Sequence, residues 1–201
     1  MITKSRWPKF MGWKLPVIAQ NCQTVFYLDT SSRPNKDVDF IAMLYETKKR
    51  VLESDIGFAL PEHPRRSNII DEFDKILLKN KDIKKNVDAS LAWLEKQDKD
   101  FNEAKLYQNQ YFMYDPNSKN WQKLTEFFWN RYSMEKDSWR DQPLLSYCIH
   151  YLKLVPLPLK PKLLRFAKDA SGHAGHKYSE KDDGPQHLIS LGKNKVSESS
   201  S

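Results

Sequence analysis

The apolar positions of this chain fall into short continuous runs and longer runs at helical spacing. Val25-Phe26-Tyr27-Leu28 is an unbroken apolar run that gives way to Asp29-Thr30-Ser31-Ser32-Arg33. Its length and β-prone make-up predict a buried strand with Asp29 at the carboxyl end. From Asp37 to Ser54, Val38, Ile41, Leu44, Tyr45, Val51 and Leu52 recur at helical spacing behind Asn35 or Asp37 as a cap. Ile56 to Leu60 reads as a second short strand, stopped by Pro61-Glu62-His63-Pro64 because proline removes ladder donors.

Amphipathic helices follow over Ser67–Lys79 and about Asp82–Lys96. Leu106–Tyr114 reads as an aromatic strand closed by the turn Asp115-Pro116-Asn117-Ser118. Trp121–Tyr132 is helical, with Leu124, Phe127 and Phe128 facing in. Asp141-Gln142-Pro143 opens a further helix, with Asp141 as N-cap and proline in the first turn. Pro156 to Pro161 is proline-rich and ends the compact part. The order strand, helix, strand, helices, strand, helices predicts an α/β fold with a short mixed sheet.

A chain of 201 residues suits one domain and buries a real core without staples. The composition after Lys168 turns to Ser, Gly, His and Lys, which predicts a domain over 1–167 and a disordered tail over 168–201. That tail balances its lysines against its acids, so the net charge of +7 belongs to the domain. No basic block there is long enough to form a nucleic-acid arm, and the aromatics follow core periodicity instead of alternating with Lys and Arg. A nucleic-acid partner is therefore not expected. A mildly basic surface suits an anionic small molecule.

Cys22 and Cys148 form no Cys-x-x-Cys pair, which excludes a disulfide framework or a zinc site. No apolar run is long enough to span a membrane and no signal peptide is recognisable, so a cytoplasmic location is favoured.

Four stretches carry candidate chemistry. Asp29 at a strand's carboxyl end has the place where open α/β sheets bind ligands, and a carboxylate there holds a divalent metal or a sugar hydroxyl. From this stretch alone a strand-end turn former or helix cap is the simpler reading. His63-Pro64-Arg65-Arg66, followed by Asp71-Glu72, presents a histidine and two guanidiniums on a rigid loop. Arginine suits phosphate or carboxylate recognition, and it also suits simple pairing with Asp71 and Glu72. Gln108, Asn109 and Gln110 place amides in an aromatic strand, as sugar-binding groups or as the solvent face of an edge. Trp139-Arg140-Asp141-Gln142 surrounds an N-cap position with polar and aromatic groups that capping does not require. His173-Ala174-Gly175-His176 has no third ligand at fixed spacing and is discounted as a metal pair. No glycine-rich phosphate loop and no Gly-x-Ser-x-Gly nucleophile occurs.

In this order the stretches resemble a glycosyltransferase-like family of plant cell-wall and mucilage proteins, formerly a domain of unknown function, with relatives in bacteria and large algal viruses. The residues that carry the resemblance are Arg6…Lys9, Tyr27-Leu28-Asp29-Thr30-Ser31, His63-Pro64-Arg65-Arg66 with Glu72, Leu106–Tyr114, Trp129 and Arg140-Asp141-Gln142. They cover roughly residues 5 to 153. The resemblance implies a GT-A-like nucleotide-diphospho-sugar transferase fold, a mixed sheet flanked by helices. The implied activity is hexosyltransferase-type transfer from a nucleotide-sugar donor to a glycan or glycoprotein acceptor. It implies Mn²⁺ or Mg²⁺ held by Asp29. It gives Asp141 the place of a catalytic base on the acceptor hydroxyl, or of a hydrogen-bond partner of the donor sugar. His63, Arg66, Arg140 and Gln142 would bind substrate.

Two departures qualify these expectations. Ser31 stands where a second acid would follow Asp29, and the βα units that cradle the nucleoside in such a fold would precede Val25. The fold is therefore expected to be incomplete at its amino end. The competing expectation is a non-catalytic glycan-binding or scaffold domain derived from such a fold.

Overall fold

The computed structural model describes residues 5–29, 32–35 and 38–159, and the backbone of 164–166. Thr30, Ser31, the expected tail 168–201 and the His173/His176 pair lie outside the described residues. Two short helices come first, α1 (Trp7–Met11) and α2 (Pro16–Asn21). Strands β1 (Val25–Leu28) and β2 (Ser32–Pro34) follow, then α3 (Phe40–Glu53), β3 (Phe58–Leu60), α4 (Ile69–Leu78) and α5 (Lys84–Gln97). The remainder is β4 (Tyr111–Tyr114), α6 (Lys119–Tyr132), α7 (Asp141–Tyr151), β5 (Leu157–Pro158) and β6 (Leu164–Phe166). The expected α/β class with a small mixed sheet flanked by helices is what the structure has.

The main sheet has the order β1-β4-β3-β5. Strand β4 is antiparallel to both β1 and β3, and β5 is parallel to β3. The carboxyl ends of β1 and β3 therefore lie at the same end of the sheet as the amino end of β4. Strand β2 pairs antiparallel with β6 in a separate two-stranded sheet.

Strand side chains alternate between faces, and the two faces of this sheet build two cores. Val25 and Tyr27, Phe58 and Leu60, and Phe112 and Tyr114 face the larger core, with Phe10, Trp121, Leu124, Phe128 and Leu145. Phe26, Leu28, Ala59, Tyr111 and Met113 face α3, meeting Met43, Val51 and Leu159. Helix α1 plugs the larger core: Phe10 is fully buried, with its ring centroid 4.6 Å from that of Phe128. The amino-terminal aromatic segment is thus part of the fold, entered through Pro8 in the first turn of α1.

Several expected boundaries shift. The cap of α3 is Asp39, which accepts from the Ala42 amide at 2.9 Å, in place of Asn35 or Asp37. Helix α3 buries Met43, Thr47 and Val51, and leaves Ile41 60% and Tyr45 70% exposed. Its apolar residues occupy two faces, and the sheet selects the face bearing Met43. The strand expected over Leu106–Tyr114 is regular only from Tyr111, and isolated bridges tie Lys105 to Asn68 and Tyr107 to Glu62. The proline-rich run is itself part of the packed structure. Leu157–Pro158 forms the edge strand β5, where a missing donor is tolerated, and Leu159 is buried.

Candidate functional site

The period of two sends Asp29 to the same side of the sheet as Tyr27, toward α1. The Asp29 amide donates to the Gln110 carbonyl at 2.8 Å, which extends the β1–β4 pairing by one residue. The Tyr27 hydroxyl donates to Asp29 Oδ1 at 2.6 Å, and the Tyr27 ring stacks on Phe112 at 4.9 Å. The carboxylate is therefore held by its own strand.

Arg6 and Lys9, three positions apart, project from one edge of α1. Lys9 Nζ is 3.7 Å from Asp29 Oδ1 and 3.3 Å from Asp141 Oδ2. Its side chain is only 3% exposed, and the ammonium lies 5.0 Å from the centroid of Tyr27 and 5.2 Å from that of Phe10. Arg6 Nη1 also donates to Asp141 Oδ2. Two carboxylates from distant parts of the sequence are thus bridged by Lys9, and Arg6 adds a second cation to Asp141.

Asp141 is 4% exposed and is the first residue of α7. It is not the expected N-cap: Arg140 holds that position, and Asp141 Oδ2 accepts from Arg6 and Lys9. Burial alone would raise its pKa. The charges of Lys9, Arg6 and Arg140, with a pull from Asn109, outweigh burial and hold it well below the usual carboxylate range. Asp141 is consequently ionised and a weak proton acceptor.

The start of α7 is fixed by a carboxylate that the sequence did not single out. Buried Asp82 accepts from Ser138 Oγ at 2.6 Å and from the Trp139 amide at 3.1 Å through Oδ2. Its Oδ1 accepts from Asn86 Nδ2 at 2.9 Å. Ser90 Oγ accepts from the Ser138 amide at 2.9 Å, and Tyr132 donates to the Trp139 carbonyl at 2.6 Å. Residues 138–140 are pinned, so the Arg140-Asp141-Gln142 turn has one position.

The His63 loop lies at the same end of the sheet. The His63 amide donates to the Leu106 carbonyl at 2.9 Å, and the Gln108 amide to the Pro61 carbonyl at 2.8 Å. His63 Nδ1 accepts from the amides of Arg65 and Arg66 at 3.2 and 2.9 Å. Burial and the neighbouring Arg66 and Arg65 push the His63 pKa down to about 4. Arg66 Nε sits 2.5 Å from Glu72 Oε2 on α4, and Glu72 is 4% exposed. Pairing with Glu72 was one of the two readings of this loop, and Arg66 makes it. Arg140 and Lys81 also act on the Glu72 charge, so the two parts of the site share one field.

Three buried amide atoms here have no hydrogen-bond partner: Gln108 Oε1, Asn109 Nδ2 and Gln142 Nε2. Asn109 is 4% exposed and its dipole helps to keep Asp141 charged, yet its Nδ2 does not reach full hydrogen-bond geometry. Buried amides are normally satisfied. Comparison with protein-family models, curated proteins and solved structures gives no match.

The structure joins Asp29 and Asp141 through Lys9, with Arg140 and Gln142 flanking Asp141 in sequence and the His63–Arg66 loop at the same sheet end. The sequence had marked Arg6 and Lys9 only as a basic segment. Tyr27 was marked only as part of the strand and motif ending at Asp29-Thr30-Ser31, and Asp82 only as a helix start. Where the resemblance implied Mn²⁺ or Mg²⁺, the group beside Asp29 and Asp141 is the Lys9 ammonium. Hard divalent ions need several oxygen ligands, and here an ammonium stands between the two carboxylates. Among the described residues no group of three His, Cys, Asp or Glu gathers. No helix among them is long and apolar enough to cross a membrane.

Proposed function

We propose that this chain is a glycosyltransferase domain, with a GT-A-like fold, that moves a sugar from a nucleotide-sugar donor to a glycan or glycoprotein acceptor. The observation that carries this reading is the bridging of Asp29 and Asp141 by Lys9 at the carboxyl ends of β1 and β3. Ligands of open α/β sheets bind outside such ends. Cations and unpartnered amides gather there, the combination that a diphosphate and sugar hydroxyls require.

In this reading Arg6 and Lys9 face the donor's phosphates and offset the charge that builds on the leaving diphosphate. In a half-dry site such preorganised charge stabilises a transition state more than it does in water. Arg66, oriented by Glu72, and Arg140 extend the same field. Asn109 and Gln142 donate to sugar hydroxyls. Asp141 holds Arg6 and Lys9 in place and accepts from the donor sugar, the second of its two expected roles. Its depressed pKa argues against the first.

A non-catalytic glycan-binding or scaffold domain is the second reading, favoured by the engagement of Asp141 with Arg6 and Lys9. Incubation with uridine and guanosine diphosphate-sugars, followed by mass spectrometry of released diphosphate and of glycan products, separates the two. Enzymatic transfer predicts diphosphate release that Asp141→Asn abolishes. Glycan binding without release supports the second reading, and binding of neither class contradicts both.

A further inference from the structure

We infer that the Lys9 ammonium takes the place of a divalent cation between Asp29 and Asp141, so that this site meets its anionic ligand without a metal. The inference rests on the proposed nucleotide-sugar reading only for the identity of that anion. Lys9 Nζ sits 3.7 Å from one carboxylate and 3.3 Å from the other, and its stem is buried. The remaining valence of the same oxygens is taken up as well. Asp29 Oδ1 accepts the Tyr27 hydroxyl, and Asp141 Oδ2 accepts Arg6.

A divalent ion placed between these carboxylates would meet an ammonium at contact distance in a poorly solvated position, where like charges repel far more than in water. Lys9 cannot swing away cheaply. Its side chain is buried with the ammonium over the rings of Phe10 and Tyr27, and Phe10 is anchored in the core. A tethered cation supplies the charge neutralisation that a metal gives elsewhere, with no dependence on metal supply.

The test measures Mn²⁺ alone, by electron paramagnetic resonance and calorimetry, on the full chain and on Asp29→Asn and Lys9→Met. Methionine keeps the length and apolar stem but removes the charge between the two carboxylates, with Arg6 still on Asp141. The wild type should show no Mn²⁺ binding that depends on Asp29. Lys9→Met should bind Mn²⁺ at least about tenfold more tightly than the wild type. Wild-type Mn²⁺ binding that Asp29→Asn removes would overturn the inference and leave the glycosyltransferase reading standing. Should Lys9→Met fail to fold, the comparison of wild type with Asp29→Asn still decides. Failure of every nucleotide-sugar to bind, with Mn²⁺ gained only by Lys9→Met, would sink the functional reading and not this one.

Discussion

The Lys9 ammonium stands 3.3 Å from the Asp141 carboxylate across 132 positions of sequence. Both groups are buried, Asp141 is also paired with Arg6, and Lys9 also faces Asp29. Removing one partner of a buried pair leaves an uncompensated charge, which costs more than the pair itself contributes.

Asp141→Asn should therefore destabilise the fold by about 3–5 kcal/mol, since Arg6 loses its counter-charge and Lys9 loses the nearer of its two. Urea denaturation checks this. The same carboxylate makes stability acid-sensitive. Its folded pKa is depressed, so its contribution is complete above the ordinary carboxylate pKa and is lost as pH falls through and below that value.

His63 acts in a different window. In the unfolded chain it takes a proton near pH 6.5, whereas in the fold it resists until about pH 4. The unfolded state binds more protons between these values, so stability should fall as pH drops from 6.5 toward 4. His63→Asn retains an acceptor for the Arg65 and Arg66 amides but cannot titrate. Its stability profile, measured by denaturant titration across that window, should be flatter than that of the wild type.

Gly57 has φ of +69°, and a Cβ there would lie 2.4 Å from Ser118 Cβ and Oγ. Ser118 cannot yield freely, because its hydroxyl donates to the Ile56 carbonyl at 3.0 Å and accepts from the Trp121 amide that starts α6. Gly57→Ala should cost about 2 kcal/mol or more, from backbone strain and overpacking together. A melting temperature unchanged from wild type would contradict the described turn.

Asp82 positions the site without touching it. Asp82→Ala frees Ser138 and the Trp139 amide, with a stability loss of about 1–3 kcal/mol. Because Arg140 and Asp141 follow directly, ligand affinity should weaken as well. Ser90→Ala, which removes one acceptor from the same loop, should show the same pattern more weakly. Parallel calorimetry and unfolding curves separate the two effects.

The sequence made the local elements legible and left the long-range pairings hidden. Helices α4 and α6 followed their apolar spacing, with Ile69, Phe73 and Ile76 buried on one and Leu124 and Phe128 on the other. In α3 the spacing fits two faces, and only the sheet decides that Met43 and Val51 go in while Ile41 and Tyr45 stay out. Strand β5 was hidden because proline argues against a strand except at an edge, and edge position is a tertiary fact. Asp29, Arg140 and Asp141 stood out as residue types in odd company. That α1 would bring a lysine between the two aspartates has no local signature, since it depends on Phe10 docking against Phe128.

Amide chemical-shift mapping of the intact chain during titration with a uridine or guanosine diphosphate-sugar tests the location and nature of the site most directly. A nucleotide-sugar site predicts saturable shifts at Asp29, Arg66, Asn109, Gln110 and Gln142, weakened by Lys9→Met. Shifts confined to the opposite end of the sheet, at Val25, Phe58 and Tyr114, or no saturable shift with any nucleotide-sugar, would contradict it.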